Sequence, residues 1–176
     1  MRYLFVFCEG DDDERFFARV CAPRLTMYDT IQYVQYAQSP AEKVRAFVRS
    51  IYGMQESGID AEYVFLRDFD RAPSKASRLE QVARRYQGLV EPKRTFLVVQ
   101  MIESWYAAGL PNQHAIAALG DIPPTTNHFT KDDFANALED GANRINVLQE
   151  VLKQFSVRRA RIKNRSFDYF CRNVFD

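Results

Sequence analysis

Three acid-bearing turns hold the residues that could do chemistry. In "FVFCEGDDDERFF" an apolar run breaks into Glu9, Gly10, Asp11, Asp12, Asp13 and Glu14; in "YVFLRDFDRA" another ends in Asp68 and Asp70; in "VVQMIESW" a third is followed by Glu103. Hard divalent cations such as Mg²⁺ take carboxylate and water oxygens in octahedral array at about 2.0–2.1 Å, so two or three acids on neighbouring strand ends could hold one. Side chains two residues apart in extended chain point the same way. Asp68 and Asp70 are therefore expected to face one ion together, with Phe69 turned into the packing. Gly10 permits a sharp turn straight after Glu9. A plainer reading stands beside each acid. Asp11, Asp12 and Glu14 could cap a helix and complement its dipole, Asp68 and Asp70 could pair with Arg67 and Arg71, and Glu103 could be an ordinary helix-start glutamate.

The elements that must position these residues alternate. "YLFVF" (3–7) reads as a buried strand, 12–25 as a helix, "TIQYVQYA" (30–37) as a strand and 40–57 as a helix opened by Pro40. "AEYVFL" (61–66) is a third strand, 74–87 a third helix, "RTFLVVQ" (94–100) a fourth strand and 102–109 a short helix. That order predicts an α/β fold with a mostly parallel four-stranded sheet flanked by helices. Ligands of such sheets bind beyond the carboxyl ends of the strands, where the acids lie. After a boundary near 110 the sequence becomes loop-rich and then helical, over 131–139, 143–155 and 166–174. The expected organisation is an α/β core over 1–110 and a helical C-terminal extension over 111–176, packed on the same domain.

Composition narrows the class. The 176 residues are 47% hydrophobic and 14% aromatic with a net charge of +1, which suits a packed globule and not a disordered chain. No apolar run approaches the ~20 residues that span a bilayer, and the N-terminus lacks a signal peptide's pattern; a cytoplasmic location is expected. Cys8, Cys21 and Cys171 form no CxxC pair and read as free thiols. With only His114 and His128 present, a histidine-rich metal site is not expected.

On these residues the chain resembles Toprim-fold proteins. "FVFCEGDDDERFF" is similar to their first motif, a strand ending in Glu-Gly with a further acid, here Asp13; "YVFLRDFDRA" is similar to their second, a strand ending in Asp-x-Asp. "VVQMIESWYAAGL" resembles the small stand-alone members related to OLD-type nucleases, several of which serve bacterial anti-phage defence. The resemblance covers about 3–110 and implies a nuclease: Glu9 as general acid/base or metal ligand, Asp68 and Asp70 as ligands of Mg²⁺ or Mn²⁺, and Asp13 and Glu103 as further ligands. Hydrolysis of a phosphodiester is the expected reaction. Three adjacent aspartates depart from the pattern, because such a loop repels phosphate unless a metal neutralises it.

A nuclease must also hold its substrate. "RRARIKNR" supplies Arg158, Arg159, Arg161, Lys163 and Arg165, and Lys131 and Arg144 could reach the site from the extension. The alternative for the run is a solvated loop between helices. Trp105 and Tyr106 could stack on a base, though their spacing after a buried strand also suits a core. Two other classes compete. An aspartyl phosphatase would carry Asp-x-Asp after its first strand, and a receiver domain would need a fifth strand with its lysine. A non-catalytic Toprim-like subunit, binding nucleic acid or a nucleotide beside a separate ATPase, is the second reading, since the chain has no GxxxxGK[ST] loop of its own. Homo-oligomerisation is left open.

Overall fold

A computed structural model describes residues 1–70, 72–112 and 116–175. Arg71 and His114 lie outside the described residues. The chain divides into two compact units, Met1–Leu97 and Val98–Asp176.

The first unit is α/β. Strands β1 (Arg2–Cys8), β2 (Thr30–Gln35), β3 (Asp60–Asp68) and β4 (Thr95–Val98) form an all-parallel sheet in the order β2-β1-β3-β4. The register runs from Tyr3 opposite Thr30 to Cys8 opposite Gln35 on one side of β1, and from Arg2 opposite Asp60 to Phe7 opposite Phe65 on the other. Because β1 is central and buried on both faces from Leu4 to Cys8, its sequence is an unbroken apolar run.

One row of β1 and β3, Phe5, Phe7, Tyr63 and Phe65, packs against α2 (Ala41–Glu56) through Val44, Val48 and Ile51 and against Val82 of α3 (Lys75–Arg85). At its centre Phe65 meets Tyr36 at a tilt and Tyr86 edge-on, with ring centroids 4.3 and 5.4 Å apart. On the other face α1 (Asp11–Phe16) continues through a π turn, Phe17–Cys21, to a 3-10 turn, Ala22–Arg24. Phe17 of that π turn meets Tyr33 of β2 with centroids 6.1 Å apart. The single helix expected over 12–25 is thus three successive pieces, an α turn that widens to π and then tightens to 3-10, and Pro23, which has no N–H to donate, sits in the last. Helix α2 ends where Gly58 turns left-handed (φ 78°), so that Gly58 N–H reaches the Gln55 carbonyl (3.0 Å) and Ile59 N–H the Met54 carbonyl (2.9 Å).

The second unit is helical: α4 (Ile102–Ala108), α5 (Lys131–Ala137), α6 (Arg144–Lys153), α7 (Val157–Lys163) and α8 (Arg165–Val174). The boundary falls at 97/98 and not near 110, so α4 joins this unit. Every residue of α4 is buried, and Trp105 packs on Phe167 and Phe170 of α8 (5.1 and 5.3 Å). Its indole N–H donates to Ser166 Oγ (2.8 Å), which donates to Asn164 Oδ1 (2.7 Å). Asn164 also caps α8 through Phe167 N (3.0 Å) and donates to Thr126 Oγ1 (3.1 Å). Trp105 and Tyr106 are therefore core residues and not a base-stacking platform. All three cysteines are buried free thiols. No helix among the described residues is long and apolar enough to cross a membrane.

Close packing behind α4 gives a test. A Cβ on Gly109 would stand 2.1 Å from the Phe155 ring, a distance that forces the ring to move. Gly109→Ala is expected to lower unfolding free energy by about 1–3 kcal/mol, as overpacking does, read as a lower urea midpoint at unchanged slope.

Candidate functional site

A sheet ordered β2-β1-β3-β4 reverses direction between β1 and β3, and the cleft beyond their carboxyl ends is the place where such sheets bind ligands. Glu9 leaves β1 at this point. Its Oε1 accepts a hydrogen bond from Asp68 N–H (2.7 Å) and pairs with Arg67 Nη1 (3.0 Å), so one carboxylate bridges the ends of the two central strands. Burial weighs against the Arg67 charge, but Glu9, the Tyr36 hydroxyl and Asp70 outweigh it and hold its pKa above the ordinary guanidinium value.

Asp70 does not continue the strand. β3 ends at Asp68, and Asp70 sits in the left-handed region at φ 47°, which aspartate tolerates better than most residues. The two-residue alternation expected to aim Asp68 and Asp70 at one ion is broken there. Asp70 Oδ2 instead meets Arg78 Nη2 at 2.9 Å, with Arg67 Nη2 3.9 Å away. Arg78 also donates through Nε and Nη2 to the Phe69 carbonyl (3.1 and 2.7 Å) and through Nη1 to Gln81 (3.0 Å). The arginine thereby fastens the turn to α3.

Asp68, 7% exposed, is the last residue of β3 and belongs by alternation to the row of Val64 and Leu66. Asp13, 5% exposed, accepts from Gly10 N–H (3.2 Å) at the start of α1. Around it, Gln35 donates to Asp11 (2.7 Å) and Glu14 (2.8 Å), and Arg15 pairs with Asp12. These contacts are those of a helix start. Glu103 opens α4 in the second unit, 3% exposed, with Arg144 Nη2 on its Oε1 at 2.8 Å.

The Mg²⁺ or Mn²⁺ implied by the resemblance finds no ready ligand set in this arrangement. Among the described residues no three histidine, cysteine or acidic side chains come together as a metal's ligands would. Glu9 and Asp70 carry arginine partners. As arranged, the set does not form a cation cage.

The basic run is also used differently from the expectation. It is a helix, α7, capped at Ser156 by Arg159 N–H (3.3 Å), and not a loop. Arg159 donates to the Gly109 carbonyl (3.0 Å) and Arg161 pairs with Asp168 (2.8 Å). Lys163 is 5% exposed and donates to the Leu110 carbonyl (3.2 Å) and Asn112 Oδ1 (2.9 Å), so its ammonium serves the interior and not a phosphate. Arg158 and Arg165 are exposed, as is Lys131 at the start of α5.

The structure adds residues that the acid-centred reading passed over. Tyr36, Arg67, Arg78, Gln81, Val82, Arg85 and Tyr86 line a half-enclosed pocket of about 120 Å³ beside Glu9 and Asp70. The legible signal was the spacing 78, 81, 82, 85, which is one face of α3. No family model, curated protein or solved structure matches this chain.

Lys163 yields a pH prediction. Burial first, and then the charge of Arg159, lower its pKa from 10.5 to about 8. Its folded value lies below its unfolded one, so between about pH 8 and 10.5 the unfolded chain binds more protons and stability rises with pH. Lys163→Met is expected to flatten that rise, measured by urea unfolding at a series of pH values.

Proposed function

We propose that this chain is a phosphodiesterase of Toprim type acting on nucleic acid. The observation that carries the reading is the bridging of β1 and β3 by Glu9 at the switch point of a parallel sheet, with Asp68 and Asp70 at the same strand end. Glu9, oriented by two donors, is placed to exchange a proton with attacking water or a leaving oxygen. Arg67 and Arg78 are placed to stabilise charge growing on phosphoryl oxygens. A divalent cation belongs to the proposal through the resemblance alone. To bind one, Glu9 would have to leave Arg67 and Asp70 leave Arg78. Arg158, Arg165 and Lys131 are offered as phosphate contacts on the strength of their exposure, and a role in anti-phage defence rests on the resemblance.

A second reading is favoured by those same ion pairs. Carboxylates already neutralised by arginines suit a binding subunit that works beside a separate ATPase and does no chemistry itself.

The test is cleavage of labelled tRNA, single-stranded DNA and duplex DNA with Mg²⁺ or Mn²⁺ against EDTA. Cutting by the natural chain is expected to fall by about a hundredfold or more in Glu9→Gln, the scale of a lost general acid or base, and to fall in Asp68→Asn, with folding checked by circular dichroism. A folded chain that cuts nothing supports the binding subunit, and cutting that survives both substitutions contradicts the assigned site.

A further inference from the structure

Beside the acids, the pocket under α3 has a chemistry of its own. Three guanidinium groups line it, Arg67 from β3 and Arg78 and Arg85 from one face of α3. Two carboxylates oppose them: Glu9 on Arg67, and Asp70 on Arg78. Arg85 makes no ion pair with a described residue; its guanidinium lies 5.7 Å from the centre of the Tyr86 ring. Charge in the pocket is thus uneven, with one arginine left over on its exposed side.

The aromatic walls sharpen this. Tyr86 is buried, and its hydroxyl meets no hydrogen-bond partner in good geometry among the described residues. A buried hydroxyl without a partner is costly, and an acceptor oxygen in the pocket would satisfy it. Burial raises the Tyr86 pKa, while the charges of Arg85 and Arg67 and a loose hydrogen bond from Arg85 pull it the other way, so the hydroxyl hydrogen is what still wants an acceptor. Tyr36, opposite, is tied by its own hydroxyl to the Leu66 carbonyl (2.7 Å) and forms a fixed wall.

Size and charge select the ligand. A pocket of about 120 Å³ is smaller than the ~300–1,000 Å³ that hold drug-sized molecules, so it suits a single compact group and not a nucleoside. Guanidinium forks match the oxygens of phosphate, and a doubly charged phosphate draws on more of them than a singly charged diester.

The geometry points to the pocket of Tyr36, Arg67, Arg78, Arg85 and Tyr86 as a subsite for a phosphomonoester, the terminal phosphate of a nucleic-acid strand. Its use rests on the nuclease reading, because a strand end held here would lie next to Glu9. Binding itself needs no turnover. Arg85 supplies the unpaired charge, and the Tyr86 hydroxyl donates to a phosphate oxygen.

The test is binding in EDTA, where nothing is cut, of a short single-stranded oligonucleotide with a 5′-phosphate against the same strand with a 5′-hydroxyl, followed by fluorescence anisotropy. A 3′-phosphate arm and competition by inorganic phosphate identify the end and separate the strand from free phosphate. The natural chain is expected to prefer one phosphorylated end by about tenfold, the scale of one charge-assisted hydrogen bond. Arg85→Gln and Tyr86→Phe are each expected to reduce that preference severalfold. Arg84→Gln, on the exposed side of α3, is expected to leave it unchanged. Equal binding of phosphorylated and hydroxyl ends overturns the subsite, as does a preference that survives both pocket substitutions or falls equally in Arg84→Gln. The assay is independent of cleavage, so a chain that cuts but ignores the end group loses only the subsite, and one that binds the end group but never cuts loses only the nuclease reading.

Discussion

The carboxylate of Glu9 is the interaction on which the rest of the site depends. It takes the Asp68 N–H and the Arg67 guanidinium together, and so ties the ends of β1 and β3 to each other. The constraint behind it is burial. β1 is covered on both faces from Leu4 to Cys8, so the strand can show a charged group only at its end. A parallel sheet brings all such ends to the same edge. Charges that gather at a half-buried edge must be paired, because desolvating an unpaired ion costs more than a fold can absorb. The arginines of β3 and α3 meet that requirement for Glu9 and Asp70.

Pairing also decides what the edge can do. Acids without partners would form a cation site, whereas acids interleaved with arginines form a mixed surface whose bonds a ligand can exchange. Phosphate is such a ligand, since it offers to a guanidinium what a carboxylate offers. In this account the acids and the arginines are two parts of one site. Glu9 is the group proposed to handle protons, Arg67 and Arg78 link the strand ends to the turn after β3, and Arg85 and Tyr86 extend the surface along α3.

Much of this was legible in the sequence. Continuous apolar runs marked β1 and β3, helical spacing marked α2, and the alternation of elements predicted the parallel sheet that the structure contains. Glu9 could be singled out because a glycine follows it at a strand end. What escaped were features set by neighbours in space. Asp70 looked like the partner of Asp68 until its left-handed backbone turned it to Arg78. Helix α7 was hidden because its charges dominate the stretch, although Ser156 and Asn164 were the caps to notice on either side. The unit boundary at 97/98 was displaced because α4 follows β4 directly and is buried all round, as a core strand's neighbour would be.

Nuclear magnetic resonance mapping tests the central claim most directly. Amide signals of the isotope-labelled chain would be followed while a 5′-phosphorylated oligonucleotide is added. The account predicts that the largest shifts fall on Glu9 and Gly10, on Asp68 to Asp70 and along the Arg78–Arg85 face of α3. Shifts confined to the helical unit, or no shifts at saturating oligonucleotide, would contradict it.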